Sequence, residues 1–463
     1  MRQAFVVEQP RHAALRALNY EPAVERLRRS RRGRTSTPLR ELVADLGSGY
    51  ATVFARIDCD RAHGVELLSQ SDMFAAEPEG RVIRIDSMQR PERHLVRKWD
   101  VLIAGAGTLA PTELYGRALI ADDRLVGKYV GQDSLRIEFK EPDGDQALFT
   151  YAYLASPTGV RALRSTSYGT KILRIRRDVL AELPIPHVDE ETRARVASLV
   201  RRSVEMRESY LRELHAARAF IESLPEMSEA HRMCAERKAR VVSWSGPLRT
   251  IMGWTYASHG GALGYLQGRC SRRVGDALAE ERGAFYGLLR QRTPCDPGWG
   301  IPFISQRDAH AIRQIPSWIV RTGIPEHALF SPPDSIVMAG RGTLGEGELF
   351  ARPIFVTRGL SRYALTQDLL RVVPRAGEGG RVYAFLSTTV GRRLLRSCAV
   401  GTKIMQLRID FIRELPLPDL DPDLARSLDA AHARSTASYD AAIEAETEAI
   451  RIIEEEVLPA WLD

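Results

Sequence analysis

Two stretches of the chain place apolar residues at the spacing of long helices. In the first, from about Glu190 to Leu224, Val196, Ser203, Tyr210, Ala217 and Leu224 recur every seven residues. Leu199, Met206 and Phe220 fill most of the matching second positions, and Glu213 is the exception. That is the pattern of a coiled-coil seam. In the second, from about Pro422 to Leu458, Leu428, Ala431, Ser435, Ser438, Ala442, Ala445, Ala449 and Ile452 alternate spacings of three and four. Most of these are small, so a partner helix is expected to approach closely, and the other long helix is the natural partner. A helix of ~35 residues is ~52 Å long. Two packed side by side are expected to form a stiff spacer, with Val196, Leu199, Tyr210, Phe220, Leu224, Leu428, Ala442 and Ile452 at the contact.

Shorter patterns precede each long helix. Segments such as "SIVMAGRGTL" and "RPIFVTRG" read as strands broken by Gly and Pro. "YAYLASPTGVRALRS" has helical spacing at Tyr151, Leu154, Val160 and Leu163, and "YAFLSTTVGRRLLRS" from Tyr383 matches it. Both run into Gly-Thr-Lys-Ile and end in Leu-Pro-Ile-Pro or Leu-Pro-Leu-Pro, where paired prolines enforce an extended exit.

The chain is therefore written twice. Tyr151 to Pro186 aligns without a gap with Tyr383 to Pro418, and 18 of the 36 positions are identical. "AGAGTLAPTELYGR" from Ala104 matches "AGRGTLGEGELFAR" from Ala339, "GVELLSQSD" from Gly64 matches "GIPFISQRD" from Gly300, and Cys59-Asp60 meets Cys295-Asp296. The offset drifts only from 236 to 235 to 232. A unit of ~230 residues is far longer than a solenoid repeat and reads as a duplicated domain with an appended helix. The expected architecture is α+β: a first domain over 1–186, a spacer helix over 187–226, a second domain over 227–418 and a carboxy-terminal spacer helix over 419–463, antiparallel to the first, with pseudo-twofold symmetry.

With 463 residues, 44% hydrophobic and 27% charged, the composition is that of an ordinary globular protein. No apolar run approaches the ~20 residues of a membrane span. The opening "MRQAFVVEQPRHAAL" has too short an apolar core for a secretory signal, so the cytoplasm is the expected location. Five cysteines form no CxxC pair and no zinc spacing, so free thiols and no metal are expected. The net charge of +7 draws on an arginine run at Arg26, Arg28, Arg29, Arg31, Arg32 and Arg34. That suits a polyanion partner. A solvated basic face is the plainer alternative.

The chain resembles the specificity subunits of type I restriction-modification systems. "DVLIAGAGTL" and "DSIVMAGRGTL" are similar to that family's Asp-Ile-Leu-Ile…Gly-Thr-Ile-Gly segment, and the Gly-Thr-Lys-Ile…Leu-Pro-Ile-Pro endings and the helices after them also fit. "ALNYEPAVERLRR" from Ala17 is similar to an opening found in some members. The resemblance implies two target-recognition domains held apart by antiparallel spacer helices, double-stranded DNA as ligand, and a bipartite target. It implies partners as well: two methyltransferase subunits that carry S-adenosylmethionine, and a restriction and translocase subunit as an optional third. The chain itself would hold no cofactor and perform no chemistry. It departs from the family after the double prolines, in "HVDEETRARV" and "DLDPDLARSL", and over residues 227–262, which read as irregular. Those departures point to a divergent phage-defence system.

Two motifs admit an enzyme instead. "GRGTLG" from Gly340 is a literal GxGxxG. Its sister "GAGTLA" lacks the third glycine, and strands rather than a helix follow both. Glu138 lies two residues before Lys140, the nearest approach to a Glu-x-Lys nuclease motif, but no paired Asp precedes it. A self-contained DNA methyltransferase or nuclease is the alternative to a recognition subunit, and a coiled-coil scaffold without DNA is a third.

For DNA contact, Lys171 and Lys403 are notable because the chain has only six lysines. A lysine on a turn flanked by Thr170 or Thr402 suits a phosphate, and Thr108, Thr343 and Arg341 on the Gly-x-Gly-Thr turns are further candidates for DNA contact. Gln70 and Gln306 could read adenine. Residues shared by both copies are nevertheless better suited to scaffold or phosphate. Base readers are expected where the copies diverge, between Asp72 and Arg97 or between Asp308 and Pro333, with Arg81, Arg84, Arg90 and Arg93, or Arg307, Arg313 and Arg321, as candidates.

Overall fold

A computed structural model describes residues 16–29, 35–110, 113–235, 252–257, 259, 261–321, 323–345 and 347–462. Of the arginine run, only the Arg26 side chain falls within the described part, and the opening fifteen residues lie outside it. The chain divides into two compact units, Met1–Glu208 with Ala441–Asp463, and Ser209–Asp440. Each is α+β.

Unit 1 is built on an antiparallel sheet in which Ser134–Phe139 and Val101–Ala104 are central, flanked by Val43–Leu46 and Ala118–Ile120. Val101–Ala104 is a run of four buried aliphatics. That suits a central strand with both faces covered, each large side chain contributing ~1.5–3 kcal/mol. A smaller sheet pairs Gly64–Leu68 antiparallel with Arg81–Arg84 and parallel with Tyr129–Val130. A third joins Ser167–Tyr168, Leu173–Ile175 and Ala106–Gly107. Pro184–Pro186 forms a two-stranded ribbon with Ser36–Pro38. Prolines are tolerated there because a ribbon has free edges.

Unit 2 repeats all four sheets. Its main sheet runs Ala284–Tyr286, Leu369–Val372, Ile336–Ala339, Pro353–Phe355. Its smaller sheet joins Ile301–Ile304 to Ser317–Ile319 and to Ala364–Leu365. The third joins Ala399–Val400, Met405–Leu407 and Arg341–Gly342, and the ribbon pairs Pro416–Leu417 with Arg272–Arg273. The sequence repeat is thus a repeat of topology.

The helix expected around Tyr151 is two helices, Asp145–Ala155 and Pro157–Ser165. Ser156 ends the first in an extended conformation, and its hydroxyl accepts from Gly159 N at 3.0 Å to cap the second. Thr388 does the same between Gly379–Ser387 and Thr389–Ser397, accepting from Gly391 N at 2.9 Å. Apolar periodicity runs through such a corner unbroken, which is why the pattern suggests one helix.

The long helices are Glu190–Ser223 and Pro422–Ile452. Unit 1 contains residues 190–208 of the first and 441–452 of the second, and unit 2 contains the remainder of each. In unit 1, Arg195 meets Glu456 at 3.0 Å and Arg207 meets Glu446 at 2.5 Å. In unit 2, Ser435 Oγ donates to the Tyr210 carbonyl at 3.2 Å and Arg434 meets Glu213 at 3.0 Å. Rising numbers on one helix meet falling numbers on the other, so the packing is antiparallel in each unit.

On the first long helix, Val196, Ser203, Tyr210 and Ala217 are buried, but the second buried stripe is Val200, Arg207, Leu214 and Ile221. Leu199, Met206, Glu213 and Phe220 sit one residue earlier and are half-buried, as is Leu224. The helix also buries Ala197, Val204 and Leu211. In unit 1, Val196, Ala197, Val200 and Val204 join the domain core. A helix that faces both a partner helix and a domain body buries a stripe wider than a two-position seam. Leu428, Ala442 and Ile452 of the second helix are buried. Within residues 227–262, Pro225–Ala235 extends as a regular helix and Gly253–Ala257 is a short one, so this part is less irregular than its composition suggests. Residues 236–251 lie outside the described part.

Candidate nucleic-acid interface

The three motifs written twice converge in each unit. In unit 1 the turn Gly169-Thr170-Lys171-Ile172 joins two strands of the third sheet, and the adjoining strand is Ala106–Gly107, whose chain continues into Thr108-Leu109. Gln70 secures this strand: its amide donates to the Ala106 carbonyl at 2.9 Å and accepts from Ala106 N at 3.2 Å. Gln70 opens the short helix Gln70–Met73, which Ser69 and Asp72 hold through a capping box. In unit 2, Gln306 donates to the Arg341 carbonyl at 3.0 Å, beside the turn Gly401-Thr402-Lys403-Ile404 and the segment Thr343-Leu344.

Two further residues tie the turns to the main sheet. The Tyr50 hydroxyl donates to the Gly105 carbonyl at 2.7 Å and accepts from Ile175 N at 3.1 Å. Tyr286 stands at the corresponding place, its hydroxyl 3.0 Å from the Gly340 carbonyl and 2.9 Å from that of Leu407. Burial pushes both phenols well above their usual range, so they remain neutral linkers. Each ring lies against a glycine. A Cβ on Gly105 would fall 2.5 Å from the Tyr50 ring, and one on Gly340 2.6 Å from that of Tyr286. The first glycine of the Gly-x-Gly pair therefore admits an aromatic ring. It has no phosphate-cradling helix behind it, so the dinucleotide reading of "GRGTLG" has no geometric basis. The turn glycines Gly169 and Gly401 have φ of 96° and 124°, which side-chain-bearing residues rarely adopt.

The tips are exposed. Thr108, Thr170, Lys171, Thr343, Thr402 and Lys403 all face solvent. Among the described residues, neither Lys171 nor Lys403 has an ion-pair partner. Most arginines nearby are committed: Arg174 to Asp133 at 2.6 Å, Arg408 to Asp410 at 2.6 Å, and Arg341 to Asp368 at 3.2 Å and over the Tyr286 ring.

The other candidates do not gather at the tips. Arg81 chelates Asp58 at 2.8 and 2.9 Å, Arg84 pairs with Asp86, and exposed Arg307 lies 3.7 Å from Asp308. Arg321 pairs with Glu326 at 2.6 Å. Gln70 spends both ends of its amide on the Ala106 backbone and Gln306 its amide nitrogen on the Arg341 carbonyl, which fits the scaffold role better suited to residues shared by both copies. Glu138 is held between Arg97 at 2.5 Å and Arg136 at 3.0 Å, while Lys140 donates to the Glu41 carbonyl at 2.7 Å. That arrangement commits Glu138 to two arginines and Lys140 to a backbone carbonyl. Among the described residues no group of three acid, histidine or cysteine side chains could hold a metal, and no helix is long and apolar enough to cross a membrane.

Tyr50 and Tyr286 went unnoticed in the sequence although they are 236 apart, the offset that already relates Cys59 to Cys295. Carrying the repeat nine residues further back from Cys59 and Cys295 finds them.

No family model and no curated protein sequence matches the chain. Solved structures do match. A type I restriction-modification S subunit from M. genitalium is 13% identical over 93% of this chain and 96% of that chain, with a TM-score of 0.33. The HsdS subunit from Thermoanaerobacter tengcongensis is 14% identical over 93% and 97%, with a TM-score of 0.26. A chain from a structure describing complex assembly and conformational transition of the type I R-M system is 15% identical over 93% and 98%, also with a TM-score of 0.26. Likeness at these levels decides neither fold nor function.

Proposed function

We propose that the chain is a DNA-sequence specificity subunit of a type I restriction-modification-like complex. Each unit presents its paired turns to one half of a split target. Lys171 and Lys403 grip phosphates with help from the neighbouring threonines, and the long helices set the distance between half-sites. The observation that carries this reading is the convergence of the same three motifs on one exposed, lysine-bearing tip in both units. A phosphate grip belongs with shared residues because it carries no sequence information, whereas base readers belong where the units differ. The divergent stretches between Asp72 and Arg97 and between Asp308 and Pro333 are the candidates for that role. The proposed domains are 1–186 and 227–418, with spacer helices over 187–226 and 419–463. Catalysis resides in the partners, two methyltransferase subunits that bind S-adenosylmethionine, with a restriction subunit as an optional addition.

The test is methylome sequencing of cells that carry the methyltransferase partner, with and without this chain. One bipartite motif should be modified only when the chain is present. Modification that persists without the chain, or of a single undivided motif, would overturn the proposal. Methylation or cleavage of DNA by the purified chain alone would favour a self-contained enzyme.

A further inference from the structure

We propose that Arg81, held in place by Asp58, reads a guanine in the half-site bound by unit 1. The inference rests on the DNA-binding reading and adds to it one base and the residue that selects it.

Arg81 opens the strand Arg81–Arg84 and pairs with Leu67. Leu67 lies three residues before Gln70, whose amide holds Ala106. Arg81 therefore stands at the end of the small sheet from which the chain reaches the paired turns. The turn before it is braced. Gly80 N donates to Glu66 Oε1 at 2.6 Å, while Lys128 meets the same carboxylate at 3.2 Å and donates to the Pro78 carbonyl at 2.7 Å. A Cβ on Gly80 would fall 2.2 Å from the Leu67 carbonyl oxygen, so the two backbones pass too closely for a side chain. The guanidinium is fixed as well. Asp58 accepts from its Nε at 3.1 Å and from its Nη2 at 2.8 and 2.9 Å. That engages one side of the fork. Among the described residues nothing accepts from Nη1, and the Arg81 side chain is 59% exposed.

Unit 2 builds the same small sheet without this pair. Pro294 bridges Ile319 as Asp58 bridges Ile83, and Ser317 lies opposite Phe303 as Arg81 lies opposite Leu67. Acid and base are exchanged together and the strands still pair, so the fold does not require them. An exposed ion pair contributes little to stability in any case. Two readers of different half-sites must differ where they touch bases, and here they do. The charge of the pair decides which group on DNA it meets. A phosphate would approach the Asp58 carboxylate together with the guanidinium, and the two charges cancel. Guanine instead offers O6 and N7 in the major groove, neutral acceptors spaced for the open edge of an arginine fork. Strand and acid hold that edge before DNA arrives, so little side-chain freedom is lost on binding. The same cancellation disfavours an acidic protein surface as the partner.

The test is the motif modified in cells that carry the methyltransferase partner with the wild-type chain, with Arg81→Ala or with Arg81→Met. Wild type should require guanine at one position of one half-site. Arg81→Ala should lower discrimination at that position about tenfold or more, and leave the rest of that half-site and all of the other unchanged. Arg81→Met keeps the aliphatic stem and should loosen the same position. A motif as strict with Arg81→Ala as with wild type overturns the inference and leaves the DNA reading standing. Modification that falls evenly at every site also overturns it, since a phosphate contact behaves that way. Loss of all modification with both variants overturns it too, by placing Arg81 in folding or in a partner contact. A wild-type chain that directs no bipartite modification sinks the DNA reading itself.

Discussion

At equivalent places in their main sheets the two units bury an arginine, and they accommodate it differently. Arg136 of unit 1 meets Asp100, Asp45 and Glu138, each at 3.0 Å. Arg371 of unit 2 has no carboxylate partner among the described residues. Its guanidinium donates to the carbonyls of Leu369 at 2.9 Å, Leu365 at 3.0 Å, Leu329 at 3.1 Å and Thr366 at 3.3 Å. Burial draws it down to about 10, a direction that no nearby anion opposes. Ser335 stands where unit 1 has Asp100, and Val373 where it has Glu138, at the same offset of 235. The copies thus kept the buried cation and exchanged its acids for carbonyls. A buried ion pair cannot lose one member cheaply, but a cation solvated by backbone can stand without one.

The largest expected effect tests that contrast. Asp100→Ala removes a buried partner of Arg136 and should cost unit 1 ~3–5 kcal/mol, whereas Ser335→Ala loses only a hydroxyl bond and should cost unit 2 ~1 kcal/mol. The Ser335 hydroxyl donates to the Pro332 carbonyl at 2.6 Å, which is the bond lost. Amide hydrogen exchange over Val101–Ala104 reads unit 1, and over Ile336–Ala339 reads unit 2. Equal losses would mean that Arg136 does not depend on its acids.

The long helices sharpen the comparison. At the offset of 232, His432 in unit 2 stands where unit 1 has Val200. It is buried between the rings of Phe355 at 5.3 Å and Tyr383 at 5.0 Å. Burial, with Arg218 pushing the same way, lowers it from 6.5 to about 4. A base held below its unfolded value favours the folded state fully above pH 6.5, and that contribution is lost as pH falls toward 4. The difference corresponds to about 3 kcal/mol. Unit 2 should therefore lose more exchange protection than unit 1 between those limits. His432→Leu should remove part of the excess, because burial also lowers His259 of unit 2 to about 4, and a profile unchanged by that substitution would remove His432 as a cause.

Where the units are identical in sequence, their effects should be identical. Lys171→Ala and Lys403→Ala should each lower the salt dependence of DNA affinity by about 0.9 in log-log slope, the value of one phosphate contact. Filter binding across a salt series measures it. Unequal slopes would show that the units grip the duplex differently despite sharing the motif.

The long helices and the duplication are legible in the sequence. The heptad spacing fixes the existence of both long helices, and the gapless echo from Tyr151 fixes the duplication, because both signals are local. On the first long helix the second buried stripe lies one residue beyond the position that spacing suggests, at Val200, Arg207, Leu214 and Ile221. Periodicity reports that a face is apolar, but how many surfaces that face meets is a tertiary matter. The amide of Gln70 suits adenine, while its presence in both copies suits scaffold. Its partner, the Ala106 backbone, lies 36 residues away and is invisible to spacing. Arg136 shares the strand "LRIEF" with one of its acids, Glu138, but the other two, Asp100 and Asp45, lie 36 and 91 residues away.

The smallest expected effect lies on the surface of the same helices and isolates burial as the variable. Arg207 and Glu446 of unit 1 are 0% and 3% exposed and meet at 2.5 Å, with the Tyr151 hydroxyl on the same carboxylate. Arg434 and Glu213 of unit 2 meet at 3.0 Å but are 61% and 32% exposed. The two contacts pair the same helices with the same chemistry. Water and salt screen the second, and its long side chains lose entropy on pairing, so Arg434→Ala should change unit 2 by no more than ~0.5 kcal/mol. The change should shrink further in 1 M salt, where the screening length falls to ~3 Å. Exchange over Ile336–Ala339 measures it. A loss several times larger, insensitive to salt, would mean that Arg434 contributes through its aliphatic stem rather than its charge, and the two ion pairs would no longer differ by burial alone.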